Sequence, residues 1–352
     1  MCNQEDRKHY NMVIIQLAGG LGNQMFQYAL YLQLKSLGRT VKIDDVAGFA
    51  QDAQRDPALK YFGIGYERAT AEELIQMLDS SMLPWARVRR KLFGRKKKSY
   101  FEADKRFHPE IMEWDDIYLE GYWQTEKYFA GVSQAVREVY DTDRLLQSAD
   151  AVMQDNGERC TAAKWLTQIN DTESVSVHIR RGDYLLPENQ ELFGGICTEA
   201  YYLTAMEQMD REHPECIFYI FTNDKKWIRE KISVTVNRAG APAEAEAADR
   251  SKTVDRAETA MKFVTADRIK IVELPETAGT AEQRDYAEFA LMSKCRHHIL
   301  ANSSYSWWAS YLCRNPHKTV LAPDRWMNGW DCTDIYREDM RRVPSTKGIN
   351  NT

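Results

Sequence analysis

Two arginines side by side at the exit of an apolar run are the strongest chemical signal in this sequence. They stand in His178-Ile-Arg-Arg-Gly-Asp-Tyr184, which begins inside the run Val175-Ser-Val-His-Ile179. A guanidinium presents a planar fork of donors that matches two phosphate oxygens, so Arg180 and Arg181 suit a diphosphate better than lysines would. The plainer reading is a surface ion pair with Asp183, worth at most about 1 kcal/mol; the position at a strand exit favours a ligand. Phe221-Thr-Asn-Asp224 repeats the arrangement after a second apolar run. Asp224 could accept from the ring N–H and exocyclic amine of guanine, or it could cap the helix that starts near Lys225. Residue types alone favour the cap. Asn302-Ser-Ser-Tyr-Ser-Trp-Trp308 follows a third run. Small hydroxyl residues at a helix start make an anion site from exposed backbone N–H groups and the positive dipole end. A serine cap with Trp307 and Trp308 in the core is compatible with that role.

Other candidates carry less. Gly19-Gly-Leu-Gly22 satisfies neither the dinucleotide glycine fingerprint nor the P-loop pattern, though its glycines permit close backbone approach to a sugar or phosphate. Asp141-Thr-Asp143 has the spacing that metal-dependent glycosyltransferases place on Mn²⁺, but its context before Leu145-Leu146 reads as a helix cap. His213 with Cys216, or Cys295 with His297, is half a metal site; zinc needs a second close pair, and no metal is expected. The seven cysteines are scattered and read as reduced thiols. The sequons at Asn170 and Asn302 are idle without secretion.

These residues need strands and helices to place them. Met12 to Leu17, then glycines, then a helical pattern up to Gly38 predicts strand, turn and helix, with Val41-Lys-Ile43 as the next strand. Further along, apolar runs at 175–179, 216–221, 269–274, 298–301 and 319–322 alternate with helical patterns at 199–209, 226–232, 281–295 and 305–312. That rhythm predicts a doubly wound parallel sheet, which binds ligands beyond the carboxyl ends of its strands. An acidic, alanine-rich insertion, Ala239 to Arg250, interrupts it as a surface loop or short exposed helix. A length of 352 residues suits two domains, set here at 1–170 and 171–352. Hydrophobic residues at 43% leave enough for sizeable cores, and a net charge of −5 excludes a global field for nucleic acid. Mean hydropathy is −0.57, and neither a membrane-spanning run nor an export signal is visible, so a cytoplasmic place is expected. The basic stretch at 85–98 is a solvated face, or a contact for an anionic membrane surface or an acidic partner.

Four runs together resemble bacterial α-1,2-fucosyltransferases of glycosyltransferase family 11: Gln16 to Tyr28, Gly121 to Phe129, His178 to Tyr184 and Phe289 to Trp308. They occur in family order across nearly the whole chain. The resemblance implies a GT-B-like α/β enzyme of two lobes, with a Rossmann-like sheet in the C-terminal one. It implies transfer of L-fucose from GDP-fucose to a hydroxyl, commonly the 2-hydroxyl of a terminal galactose, with inversion and without a metal or other cofactor. By similarity His178, Arg180, Arg181 and Asp183 form the donor motif, with Arg180 on the diphosphate. A carboxylate after the next strand meets guanine, which raises Asp224. Ser303, Ser304 and Tyr305 stand where relatives have Ser-Ser-Phe at the phosphates. Asn23, beside the glycine turn, joins the donor-binding set, and Asp183 and Glu126 are candidates for the base. A fucosyltransferase of another linkage or acceptor, or a non-catalytic GDP-sugar or glycan-binding protein, is the alternative. The sequence leaves the oligomeric state open.

Overall fold

The computed structural model describes residues 11–50, 55–94, 98–147, 161–230, 265–275 and 280–345. The insertion at 239–250 lies outside them. The chain divides into two compact units: Met1–Asp141 with Asp331–Tyr336, and Thr142–Trp330 with Arg337–Thr352. The sequence sets the break at 170/171, whereas the units part at Asp141/Thr142. The difference has a physical source. Helix α5 (Thr161–Asn170) belongs with the second unit's core, where Trp165 Nε1 donates to the Glu273 carbonyl at 3.0 Å, and Asp143 pairs with Lys294 at 2.5 Å.

The first unit holds a four-stranded parallel sheet in the order β2-β1-β4-β3. Its strands are β1 (Met12–Ala18), β2 (Thr40–Gly48), β3 (Ser99–Phe101) and β4 (Ile117–Glu120). Helices α1 (Leu21–Ser36), α2 (Ala71–Met77), α3 (Pro84–Phe93) and α4 (Ser133–Val139) accompany them. Gly19, at φ +74°, makes the turn from β1 into α1, in a region that favours glycine. Buried amides then fix the loop. Gln24 donates to the carbonyls of Gly19 and Asp56 and accepts from Ala58 N–H, while Gln27 accepts from Ala18 N–H and donates to the Gly121 carbonyl. These polar groups are buried because each is satisfied.

The second unit holds six parallel strands in the order β10-β9-β8-β5-β6-β7. They are β5 (Ser174–Ile179), β6 (Ile217–Thr222), β7 (Ile269–Ile271), β8 (His297–Ile299), β9 (Val320–Pro323) and β10 (Met340–Val343). The chain starts at β5, runs outward through β6 and β7, then returns to β8 on the other side of β5. That is the Rossmann strand order, and its switch point lies between β5 and β8. β5 is buried along its whole length, as a central parallel strand covered on both faces must be. Val175, Val177 and Ile179 pack with Tyr201, Tyr202 and Met206 of α7 (Glu199–Glu212), each buried side chain contributing roughly 1.5–3 kcal/mol. The alternate residues face other partners, with Ser176 Oγ 2.8 Å from His298 Nδ1. Helices α6 (Pro187–Phe193), α8 (Ala281–Lys294) and α9 (Ser304–Leu312) belong to the same unit.

Candidate active site

All three polar turns follow adjacent strands, β6, β5 and β8, and all leave by the carboxyl ends. His178 is the penultimate residue of β5. It is buried, its ring lies 5.4 Å from that of Tyr305, and its Nδ1 has no hydrogen-bond partner among the described residues. Burial, reinforced by the neighbouring Arg180 charge, pushes its pKa down to about 3, so the ring is neutral. The Tyr202 hydroxyl donates to the His178 carbonyl at 2.9 Å, and the Tyr201 hydroxyl donates to that of Leu300 at 2.6 Å. Two neighbouring residues of α7 thereby hold the exits of β5 and β8.

The two arginines diverge. Arg181 lies 4.2 Å over the Trp227 ring, and its Nε donates to Asp224 at 3.2 Å. Its backbone N–H donates to Asn223 Oδ1 at 2.9 Å. Arg180 lies 5.9 Å from the Tyr184 ring, and its charge acts on His178, Tyr305 and Asp285. Desolvation raises the Asp285 carboxyl above its ordinary value, while Arg180 and Lys225 pull it back. Gly182 has its reason in the adjacent turn: a Cβ there would sit 2.5 Å from Asn223 Nδ2.

Asp224 does cap the helix turn at 225–230, its Oδ1 accepting from Trp227 N–H at 3.1 Å, and it also pairs with Arg181. Ser303 caps α9, its hydroxyl accepting from Tyr305 N–H at 3.3 Å, so the expected serine start is there. Ser304 opens the helix. The Tyr305 hydroxyl donates to the Asp285 carbonyl, and burial pushes the phenol up. Tyr184 joins two of the motifs, donating to the Asn302 carbonyl at 3.0 Å. The Asp183 side chain lies outside the described residues.

His178, Arg180, Arg181, Asp224, Ser303, Ser304 and Tyr305 therefore share one end of the second unit's sheet. Asn23 and Glu126 belong to the first unit. Asn23 Oδ1 accepts from Gln124 at 2.8 Å, and Glu126 opens a 3-10 turn behind the Thr125 cap. Sequence reasoning missed Tyr184 as a bridge, and also Asn223 and Asp285. Tyr184 and Asn223 each stand inside a quoted motif, which was their signal; Asp285, on α8, left none.

At the opposite end of that sheet the imagined cysteine–histidine pairs are replaced by another cluster. Glu173, His213 and His297 bring three potential ligand atoms within 4.8 Å of one another. His297 Nδ1 accepts from Thr319 N–H at 2.9 Å, which leaves the proton of the neutral ring on Nε2, 2.6 Å from Glu173. A metal at Nε2 would have to displace that proton against the hydrogen bond on the other nitrogen.

The chain matches the profile of Glycosyl transferase family 11 over residues 109–255 and 268–339. The chain belongs to that family. This makes it a glycosyltransferase and bears out both the resemblance in its motifs and the two-lobed α/β expectation. Among curated family relatives, the Escherichia coli alpha-1,2-colitosyltransferase is 25% identical over 334 residues, spanning 90% of this chain and 92% of its own. The O-antigen biosynthesis glycosyltransferase WbnK of Escherichia coli is 26% identical, over 89% and 94% of the two chains. The galactoside alpha-(1,2)-fucosyltransferase 1 of Alouatta belzebul is 23% identical, over 94% of this chain and 73% of its own. Among solved structures, the NodZ alpha-1,6-fucosyltransferase soaked with GDP-fucose aligns at a TM-score of 0.39 and 11% identity, over 86% of this chain and 92% of that one.

Proposed function

We propose that this family 11 glycosyltransferase moves L-fucose from GDP-fucose to the 2-hydroxyl of a terminal β-galactose in a glycan, with inversion at the anomeric carbon. One observation carries the proposal: a guanidinium, a helix start and a helix-capping carboxylate gather at the carboxyl ends of the adjacent strands β5, β8 and β6 of the second unit's sheet. The names of the family relatives supply the α-1,2 linkage.

Breaking the fucosyl–phosphate bond builds negative charge on GDP and positive charge on the sugar ring. Donors fixed beforehand near the phosphates stabilise that transition state more than the ground state. In this reading Arg180 and the start of α9 at Ser303 and Ser304 take the diphosphate, with the polar His178 Nδ1 beside them. Asp224 takes guanine through acceptor sites left over by Trp227 and Arg181, since a carboxylate offers about four. Arg181, held by Asp224 and Trp227, shapes the turn. The donors suffice without a metal, so EDTA is expected to leave turnover unchanged. Inversion requires a base on the acceptor hydroxyl opposite the leaving group; Glu126 and Asp183 are the two carboxylates assigned for testing. The five described cysteines are free thiols, and no described helix is long and apolar enough to cross a membrane.

Calorimetry with GDP and UDP, followed by a donor-by-acceptor screen with product linkage read by NMR, tests the proposal. Tighter binding of UDP, or a product linked elsewhere than at the galactose 2-hydroxyl, would overturn it. The colitosyl transfer named for one relative motivates a second reading, in which the linkage stays and the donor sugar differs; the same screen separates the two.

A further inference from the structure

Helix α3 is built unlike the other helices of its unit. It carries the sequence Pro84-Trp-Ala-Arg-Val-Arg-Arg-Lys-Leu-Phe93, and no acidic residue occurs between Asp79 and Glu102. Trp85, Val88 and Leu92 recur one helical turn apart, so they share a stripe. Burial does not claim that stripe, because all three side chains are between 58% and 69% exposed; Met82, just before the helix, is 75% exposed and Leu83 is 53%. Arg87 and Lys91, four residues apart on the other flank, are exposed as well. One arginine of the helix is committed inward: Arg89 pairs with Asp79. Among its described side chains Arg89 ties the helix down, while an apolar stripe and a basic flank both face out.

A single exposed leucine needs no explanation, but a tryptophan-led stripe beside a one-signed basic flank matches a specific environment. Water wets the basic flank and rejects the stripe. A second protein surface would need carboxylates and a groove at once. An anionic bilayer supplies both partners in one plane, with headgroup charge for Arg87 and Lys91 and acyl-chain boundary for Trp85, Val88 and Leu92. We infer that α3 is an interfacial anchor that seats this transferase on an anionic lipid surface, with the helix lying in the plane of the headgroups. The inference stands apart from the choice of sugar donor and acceptor.

Flotation of the full chain with phosphatidylcholine vesicles, and with phosphatidylcholine vesicles containing phosphatidylglycerol, tests it. Binding to the anionic vesicles is expected to exceed binding to the neutral ones by at least about tenfold, since each basic residue near such a surface contributes roughly fivefold. Trp85→Glu with Leu92→Glu, and separately Arg87→Glu with Lys91→Glu, are each expected to lower the anionic binding about tenfold or more. Their melting temperatures should stay at the wild-type value, because the side chains are exposed. Equal flotation by the Trp85→Glu, Leu92→Glu variant would overturn the inference. So would a wild-type chain that ignores both vesicles, whether it forms dimers that this variant dissolves, marking a protein interface, or binds heparin in a way that only the charge variant abolishes, marking an acidic partner.

Discussion

Adjacent arginines at 180 and 181 have different work, and the difference is visible in what each touches. Arg181 is spent inside the protein, on the Trp227 face and the Asp224 carboxylate. Arg180 stands among His178, Tyr184 and Tyr305, where the strand exit and the start of α9 meet. Arg180→Ala is therefore expected to lower kcat roughly a hundred- to a thousandfold, the cost of removing one preorganised donor, with an unchanged melting temperature. Arg181→Ala should act chiefly on the donor KM, by about tenfold, because it loosens the turn that holds Asp224. Steady-state kinetics on both variants checks the split, and a mainly kcat effect of Arg181→Ala would contradict it. His178 adds a pH signature. Its folded pKa of about 3 lies below the unfolded value near 6.5, so the unfolded chain takes up the proton first. Stability is complete above pH 6.5 and falls as pH drops toward 3, by about 2 kcal/mol at pH 5 from this residue alone. His298, also buried and held neutral, acts in the same direction. Urea unfolding at pH 7 and pH 5 should show the loss, and His178→Gln should reduce the gap between the two midpoints; an unchanged gap would exclude His178 as a source.

Three short turns on neighbouring parallel strands make the site, and the fit between turns decides their residue types. Gly182 is glycine because Asn223 comes within 2.5 Å of where a Cβ would be, and that Asn223 cannot retreat without giving up the Arg181 N–H. Gly182→Ala should cost about 1 kcal/mol, one hydrogen bond, and raise the donor KM. Asn223→Ala in the same chain should relieve the crowding without restoring the bond, a partial rescue readable by calorimetric GDP affinity. The sequence showed β5, β6, α1, α7, α8 and α9, whose apolar patterns are clear, but not α5, which falls where the lobe boundary was expected. The β5 and β6 runs carry continuous apolar residues, and their turns carry the arginines and Asp224, so strand, exit and candidate ligand were legible together. β3, β4 and β10 were not predicted. Each is three or four residues long, too short for a periodicity, and β10 keeps Arg341 and Arg342 outward between buried Met340 and Val343. Residue types alone did not distinguish the two arginines, and only the family resemblance set Arg180 on the diphosphate; what separates them in the structure is Trp227, more than forty positions away and brought close by the pairing of β5 with β6.

Chain order and unit membership part company near the C-terminus. After α9 and β9 have completed most of the second unit's sheet, residues 331–336 are counted with the first unit, and the chain then supplies β10 to the second. The polar tail around Asn328 to Tyr336 carried no clear role as sequence; its role is in the bonds it makes. Asp334 accepts from the Phe107 backbone N–H at 2.7 Å and from Lys127 at 2.5 Å, Asp331 pairs with Arg106, and Cys332 and Ile335 are buried. A carboxylate accepting a backbone N–H is among the stronger hydrogen bonds, worth about 1.5–3 kcal/mol, and Arg106 to His108 forms part of the loop between β3 and β4. Asp334→Ala should thus destabilise that loop and leave the sheet of the second unit alone. Amide exchange followed by mass spectrometry reads this directly: peptides around Phe107 should exchange at least about tenfold faster, the factor that 1.4 kcal/mol corresponds to, while peptides of α7 keep their wild-type rates. Equal acceleration in both would mean that the first unit does not open by itself, and that the segment stabilises the whole chain as one cooperative body.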